Sequence, residues 1–344
     1  MAGGTLNDVK GALTDYFAPR LVRQINRTAM MLNLLAVKLP DPGQGQAITW
    51  AIKTSGATAA AVPDDGGTRT PAFDKRVKAS LAYGNYQGAV METGMALAAA
   101  AFSASPEDLI DLLAGDVEDS GDQIASQINK DWWVQASTGG GVLPITSNAS
   151  AVAATGTYAG VVKATDVLFQ GNVFANGSVA RPLTLDLIRT ARRAVRQNGG
   201  AVDLYVCDLT TFDRYGGLID PQRRYVDQVR TAKGIVTLDA GYKALEFEGA
   251  AFVGDKDAPA GTLVGLTTKW CEWRVLPKDP SLLGIMQKVV SGQYEENAEK
   301  FPAGLPISIL PLARTGDAEN YLAVVYPQYV NRRPNQSFIL SDIA

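Results

Sequence analysis

One stretch, Ser105 to Ser137, carries a helical pattern much longer than the usual three or four turns. It opens on Ser105-Pro106-Glu107-Asp108: a serine that caps free amides, a proline where no N–H is needed, and two acids at the positive helix end. Leu109, Leu113, Val117, Ile124, Ile128 and Trp132 then form a single apolar stripe. At the rise of an α-helix the segment spans roughly 45 Å. The opposite face holds Asp111, Asp116, Glu118, Asp119 and Asp122, with no base between Glu107 and Lys130. Gly115 and Gly121 weaken it and allow a bend. Such a helix is either laid on a core or serves as a spine that carries flanking extensions.

The flanks favour extensions. Residues 5–35 read as one or two short helices interrupted at Pro19, with Met30, Met31, Leu32, Leu34 and Leu35 among their apolar positions. This arm is too short to bury its own apolar side. It packs on the same subunit's core or on a neighbour. Pro40-Asp41-Pro42-Gly43 stops any helix. Ile48, Trp50 and Ile52, then Val77, Ala79, Leu81 and Tyr83, alternate as two strands. The Ala/Gly/Thr/Asp-rich stretch between them, Thr54 to Pro71, builds no core, so the pair reads as a long hairpin. An isolated hairpin is marginal in water, and this one is expected to lie on another surface.

Beyond the long helix, residues 138–162 read as loop or weak strands. Thr184 caps a helix whose Leu185, Ile188, Ala191 and Val195 share a face, and Gly199-Gly200 ends it. Val202 to Cys207 is a strand, Phe212 to Tyr215 begins a short helix, and Arg223 to Val229 reads as another. Lys243–Val253, Thr262–Leu266, Trp270–Leu276, Gly284–Tyr294, Leu305–Leu312, Tyr321–Val330 and Phe338–Leu340 read as strands, with a charged loop over 295–302. Asp255 and Asp257 are read as members of a solvated turn rather than metal ligands. Early helices, late strands and an α/β insert make an α+β architecture.

Several chemistries are excluded. Among 344 residues there is no histidine, which removes histidine triads, histidine metal sites and the commonest general base. Cys207 and Cys271 make neither a disulfide framework nor a metal site. Gly43-Gln44-Gly45 lacks the third glycine and the strand–helix setting of a dinucleotide fingerprint, and Gly139 to Gly141 lacks the Gly-Lys-Ser/Thr ending of a phosphate loop. No cofactor, metal or catalytic residue is expected. The formal charge of −3 argues against tight DNA binding by the whole chain while leaving room for a local basic patch. No apolar run is long enough to cross a membrane, and the start lacks a secretory signal, so the chain reads as soluble and made in a cytoplasm.

The order of arm, hairpin, acid-capped long helix, Gly-rich loop, α/β region and late strands resembles the major capsid proteins of tailed double-stranded DNA bacteriophages. The local text that carries the resemblance is Lys243-Ala244-Leu245-Glu246-Phe247-Glu248-Gly249 followed by Val253 and Asp255-Lys256-Asp257-Ala258-Pro259-Ala260-Gly261-Thr262-Leu263, with Val330-Asn331-Arg332-Arg333-Pro334 late in the chain. The resemblance covers nearly the whole chain. It implies an N-terminal arm (1–35), an extended hairpin loop (36–92), a peripheral domain with the spine helix (93–140), an axial domain (141–275), peripheral strands (276–320) and a C-terminal segment returning to the axial domain (321–344). It implies self-assembly as hexamers and pentamers into an icosahedral shell in the host bacterial cytoplasm. The shell would enclose double-stranded DNA with weak direct contact, and a separate scaffold, a portal and decoration proteins would be its partners. Relatives that cross-link subunits use lysine and asparagine; Lys75 or Lys78 with Asn297, near Glu295, are those residue types here. A same-fold alternative is an encapsulin-type compartment; a different-class alternative is a soluble α+β enzyme with a carboxylate or lysine site.

The charge pattern suggests where subunits meet. The hairpin carries Lys53, Arg69, Lys75, Arg76 and Lys78 against Asp64, Asp65 and Asp74. The helix offers Asp111, Asp116, Glu118 and Asp119 without bases. Either both faces are solvated, or the hairpin of one subunit meets the helix of the next.

Overall fold

The computed structural model describes residues 29–41, 47–53, 76–95, 98, 106–138, 141–219, 225–226, 228–231, 234–237, 244–276, 307–311 and 317–344; their side chains are described except over 106–118, 225–244, 309–311 and at 319. The first half holds α1 (Met30–Leu34), β1 (Ala36–Lys38), β2 (Ala47–Lys53), β3 (Arg76–Ala82), β4 (Tyr86–Thr93), α2 (Pro106–Trp133), α3 (Asn148–Val152), β5 (Thr157–Tyr158), β6 (Val161–Val162) and β7 (Asn172–Phe174). Next come α4 (Leu185–Gln197), β8 (Leu204–Cys207), α5 (Leu209–Leu218), β9 (Tyr225–Val226), β10 (Gln228–Thr231), β11 (Gly234–Thr237), β12 (Ala244–Phe247) and β13 (Ala250–Gly254). The chain closes with β14 (Leu263–Leu266), β15 (Cys271–Leu276), β16 (Ser308–Pro311), β17 (Ala318–Asn331) and β18 (Phe338–Leu340).

Two sheets organise these elements. A seven-stranded sheet runs β7-β18-β14-β8-β13-β12-β9. Its strands alternate with period two between two buried faces. Tyr205, Cys207, Phe252 and Leu263 pack beneath Ile188, Ala191 and Val195 of α4 and Tyr215 of α5. Leu204, Val206, Val253, Val264 and Leu266 face the other way, into a core shared with α1 and α2. Gly265 is required here, because a Cβ would stand 2.1 Å from the Phe338 ring. A five-stranded sheet contains β1-β15-β17-β16, with β4 also on β17. β17 pairs with β15 through residues 326–331 and with β4 through residues 318–325. At residues 321–324 it also pairs with β16, so these residues lie between two strands. The α2 stripe closes on this sheet, with Ile124, Ile128 and Trp132 buried. Trp132 meets Tyr329 edge-on at 5.6 Å.

One expectation is corrected here. Arg223–Val229 is not helical where described: 225–226 and 228–231 are strands, because β9 pairs with β12 and β10 with β11. Of the two placements left open for the arm, residues 29–35 take the same subunit's core: Met31, Leu32, Leu34 and Leu35 are fully buried, and β1 pairs in parallel with β15. β1, β4 and β17 belong to the five-stranded sheet, and β18 enters the seven-stranded sheet. Residues 1–28, the hairpin tip and the expected Gly284–Tyr294 strand with its following loop lie outside the described residues.

Candidate assembly site

The hairpin is present as β2 and β3, in register from Ala47 opposite Ala82 to Lys53 opposite Arg76. Alternation gives it two unlike faces. Ile48, Ala79 and Leu81 are buried, while Ala51, Lys53, Arg76 and Lys78 are exposed. Its base is seated on the chain's own β5–β6 hairpin. The Ser80 amide donates to the Ala159 carbonyl at 2.9 Å, and the Trp50 ring lies 6.5 Å from Tyr158. Tyr158 is stacked on Phe169, and its hydroxyl accepts from the Asn331 amide at 2.8 Å. Lys163 fixes the platform from beneath. Its buried ammonium donates to the carbonyls of Ser150, Ala151 and Ala153 at 3.0, 2.8 and 2.7 Å, and burial pushes it down to about 8.

A cluster of charges anchors the chain just before β2. Glu272, 7% exposed, accepts from Lys38 at 2.7 Å, Arg274 at 2.9 Å and Arg332 at 2.8 Å. Arg274, 5% exposed, also donates to Asp41 at 3.0 Å and to the Leu39 carbonyl. Burial alone would raise the Glu272 carboxyl; the Lys38 hydrogen bond and the charges of Arg274, Arg332 and Lys38 outweigh it and hold the group below its ordinary value. The cluster ties β1, β15 and the end of β17 to the segment that leads into the hairpin.

The long helix is joined to the seven-stranded sheet by a second polar cluster. Asp255 follows β13 and is 1% exposed. Its carboxylate accepts from Trp133 Nε1 at 2.8 Å, Asn129 Nδ2 at 3.1 Å and the Asp257 amide at 3.0 Å. Asn129 in turn accepts from the Met31 amide at 3.0 Å. Burial raises the Asp255 carboxyl against these lowering hydrogen bonds, and the Asp257 charge adds to the rise. The solvated turn expected at Asp255 is therefore corrected: three donors occupy the carboxylate because α2 covers it. On α2 between Asn129 and Trp133, Asp131 accepts from Tyr86 at 2.5 Å and Gln127 at 2.7 Å, while the Ile145 amide donates to the Tyr86 hydroxyl.

Of the charged residues expected to face a neighbour, Lys53, Arg76 and Lys78 stand exposed at the described end of the hairpin, and Asp119 is half-buried on α2. Arg69 and Lys75, together with the cross-link candidate Asn297, lie outside the described residues, as do the side chains of Asp111, Asp116 and Glu118. Within one chain the two sets sit on different elements: the hairpin packs on β6 and β17, and α2 on α1, α3, β4 and β17. Sequence reasoning placed Asp255 in a solvated turn, and it missed Lys163 and Glu272. A lone lysine in an apolar tract and a Glu-x-Arg alternation in a strand were their only signals.

The architecture has close counterparts among solved structures. The capsid asymmetric unit of cyanophage A-1(L) matches with a TM-score of 0.66 at 16% identity, covering 94% of this chain and 95% of that one. The fold is that of the tailed-phage major capsid proteins. The capsid of a native GTA particle matches over 100% of both chains at 12% identity and a TM-score of 0.59. An encapsulin shares the capsid fold: the holo-SrpI complex from Synechococcus elongatus PCC 7942 matches at 11% identity and a TM-score of 0.57, covering 100% of this chain and 96% of that one. No protein-family model and no curated protein sequence matches the chain.

Proposed function

We propose that the chain is a major capsid protein that assembles with copies of itself into an icosahedral shell around double-stranded DNA. The observation that carries this is the near-complete reciprocal match to a phage capsid subunit, 94% of one chain on 95% of the other. In this reading α2 and the five-stranded sheet form a peripheral domain, and the seven-stranded sheet forms an axial domain at the centre of hexamers and pentamers. The hairpin crosses a neighbour, with Lys53, Arg69, Lys75, Arg76 and Lys78 over the neighbour's Asp111, Asp116, Glu118 and Asp119. A separate scaffold, a portal and decoration proteins complete assembly in the bacterial cytoplasm, and the mature subunit resides in the virion. Its work is mechanical rather than catalytic.

Single-particle imaging of the purified protein tests the reading. Closed shells, tubes or capsomer rings support it; persistent monomers overturn it and favour the enzyme. The match to an encapsulin supports a second reading, a compartment for protein cargo. DNA inside particles isolated from the producing cell favours the capsid, and protein cargo favours the compartment.

A further inference from the structure

A cleft of about 490 Å³ opens beside the base of the hairpin. Its walls include Trp50 and Lys53 of β2, Asn198 at the end of α4, and Trp270, Arg332 and Arg333. Among the described residues that line it, none is acidic. The cations are held in place. Arg333 lies over the Trp270 ring, 4.1 Å from its centre, and Lys269 approaches the same ring at 5.3 Å. Arg332 is fixed by its bonds to Glu272 at 3.0 and 2.8 Å. Asn198 donates to the Asn335 carbonyl at 3.0 Å and accepts from Gln336 at 3.2 Å, which locks the end of α4 to the cleft wall.

α4, which meets the cleft wall at Asn198, carries further arginines. Arg189 and Arg192 share the Glu248 carboxylate. Arg193 and Arg196 are exposed and, among the described residues, make no ion pair. They stand one turn apart, about 4.5 Å along the axis. The same is true of ion pairing for Lys269 and Arg333. Among the described residues, Arg193, Arg196, Lys269 and Arg333 are thus four cations without an ion pair, on a chain whose net charge is −3.

We infer that this cleft and the adjoining α4 face bind single-stranded nucleic acid through its phosphates. Several cations at and beside one cleft suit a repeating phosphate better than a single carboxylate. The tryptophan walls and the amides of Asn198 and Asn335 suit a flat base with hydrogen-bonding edges. A cleft of about 490 Å³ has room for an unpaired nucleotide and is too small for a duplex. The inference does not depend on the shell reading, since it concerns one subunit.

The test uses unassembled full-length subunits and a short fluorescein-labelled oligothymidine, read by anisotropy. Binding is expected at low salt, with a log–log salt slope of about −2 to −3 for three to four phosphate contacts. Arg193→Ala/Arg196→Ala and, separately, Lys269→Glu/Arg333→Glu are each expected to weaken binding at least about tenfold at low salt and to flatten the slope. Arg214→Glu, which exchanges an exposed cation on α5, is expected to change neither. All these side chains are exposed, and thermal unfolding verifies that each variant is folded. The inference is overturned if the oligonucleotide does not bind at low salt, if both double variants bind as the parent does, or if duplex DNA of equal length or a glutamate-rich peptide competes as well as the single strand. Particle formation by the same variants is scored separately, so a failure of this inference is distinguishable from a failure of the shell reading.

Discussion

Glu272→Gln isolates the charge cluster that anchors the hairpin's approach. The substitution keeps shape and one acceptor while removing the charge that three cations share. Arg274, 5% exposed, would be left with Asp41, itself half exposed, as its remaining ion-pair partner. Breaking a buried pair by removing one partner costs about 3–5 kcal/mol. Lys38 and Arg332 are 50% and 30% exposed and return to water at little cost, so their pairs add less. The retained amide oxygen still accepts from a guanidinium. The expected loss is therefore about 2–4 kcal/mol. The sign of its pH dependence follows from the lowered carboxyl. The stabilisation is fully present above the ordinary value of 4.5 and is lost as pH falls through the folded value beneath it. Urea unfolding of unassembled subunits, parent against variant, should show the full gap at neutral pH and a narrowing gap in acid. A gap below about 1 kcal/mol at neutral pH, the worth of an exposed pair, would refute the reasoning. So would a gap that does not change in acid.

Three further outcomes are expected. Removing residues 1–28 should leave a folded subunit, whereas Leu34→Ala should cost about 2–5 kcal/mol in the same assay, because that side chain is fully buried. Trp133→Phe deletes a hydrogen bond to the buried Asp255 carboxylate and should cost about 1.5–3 kcal/mol, read as a lowered unfolding midpoint. Changing Lys75, Arg76 and Lys78 to glutamate should slow assembly, followed by light scattering, without unfolding the subunit. Each exposed pair is worth about 0–1 kcal/mol, and Asp111→Lys with Glu118→Lys should restore part of the rate; unchanged assembly at low salt would rule out the pairing.

Local signals were legible wherever a short stretch carries its own cause. Pro106 begins the long helix, Thr184 caps α4 through the Leu187 amide, and Gly199 takes the left-handed turn that ends it. Period-two alternation located β2, β3 and β15, since the face a strand residue takes is set by its parity. Composition excluded histidine chemistry without reference to any fold.

Other features required the assembled chain. Asp255 is buried because Asn129 and Trp133, more than a hundred residues earlier, close over it. Residues 225–226 are strand because β12 offers an edge, although their local pattern suits a helix. Glu272 and Arg274 read as polar positions of an ordinary strand until Lys38, Asp41 and Arg332 surround them. In each case the deciding partner is distant in sequence. Burial and ion pairing depend on which groups share a volume, and only the folded chain brings those groups together.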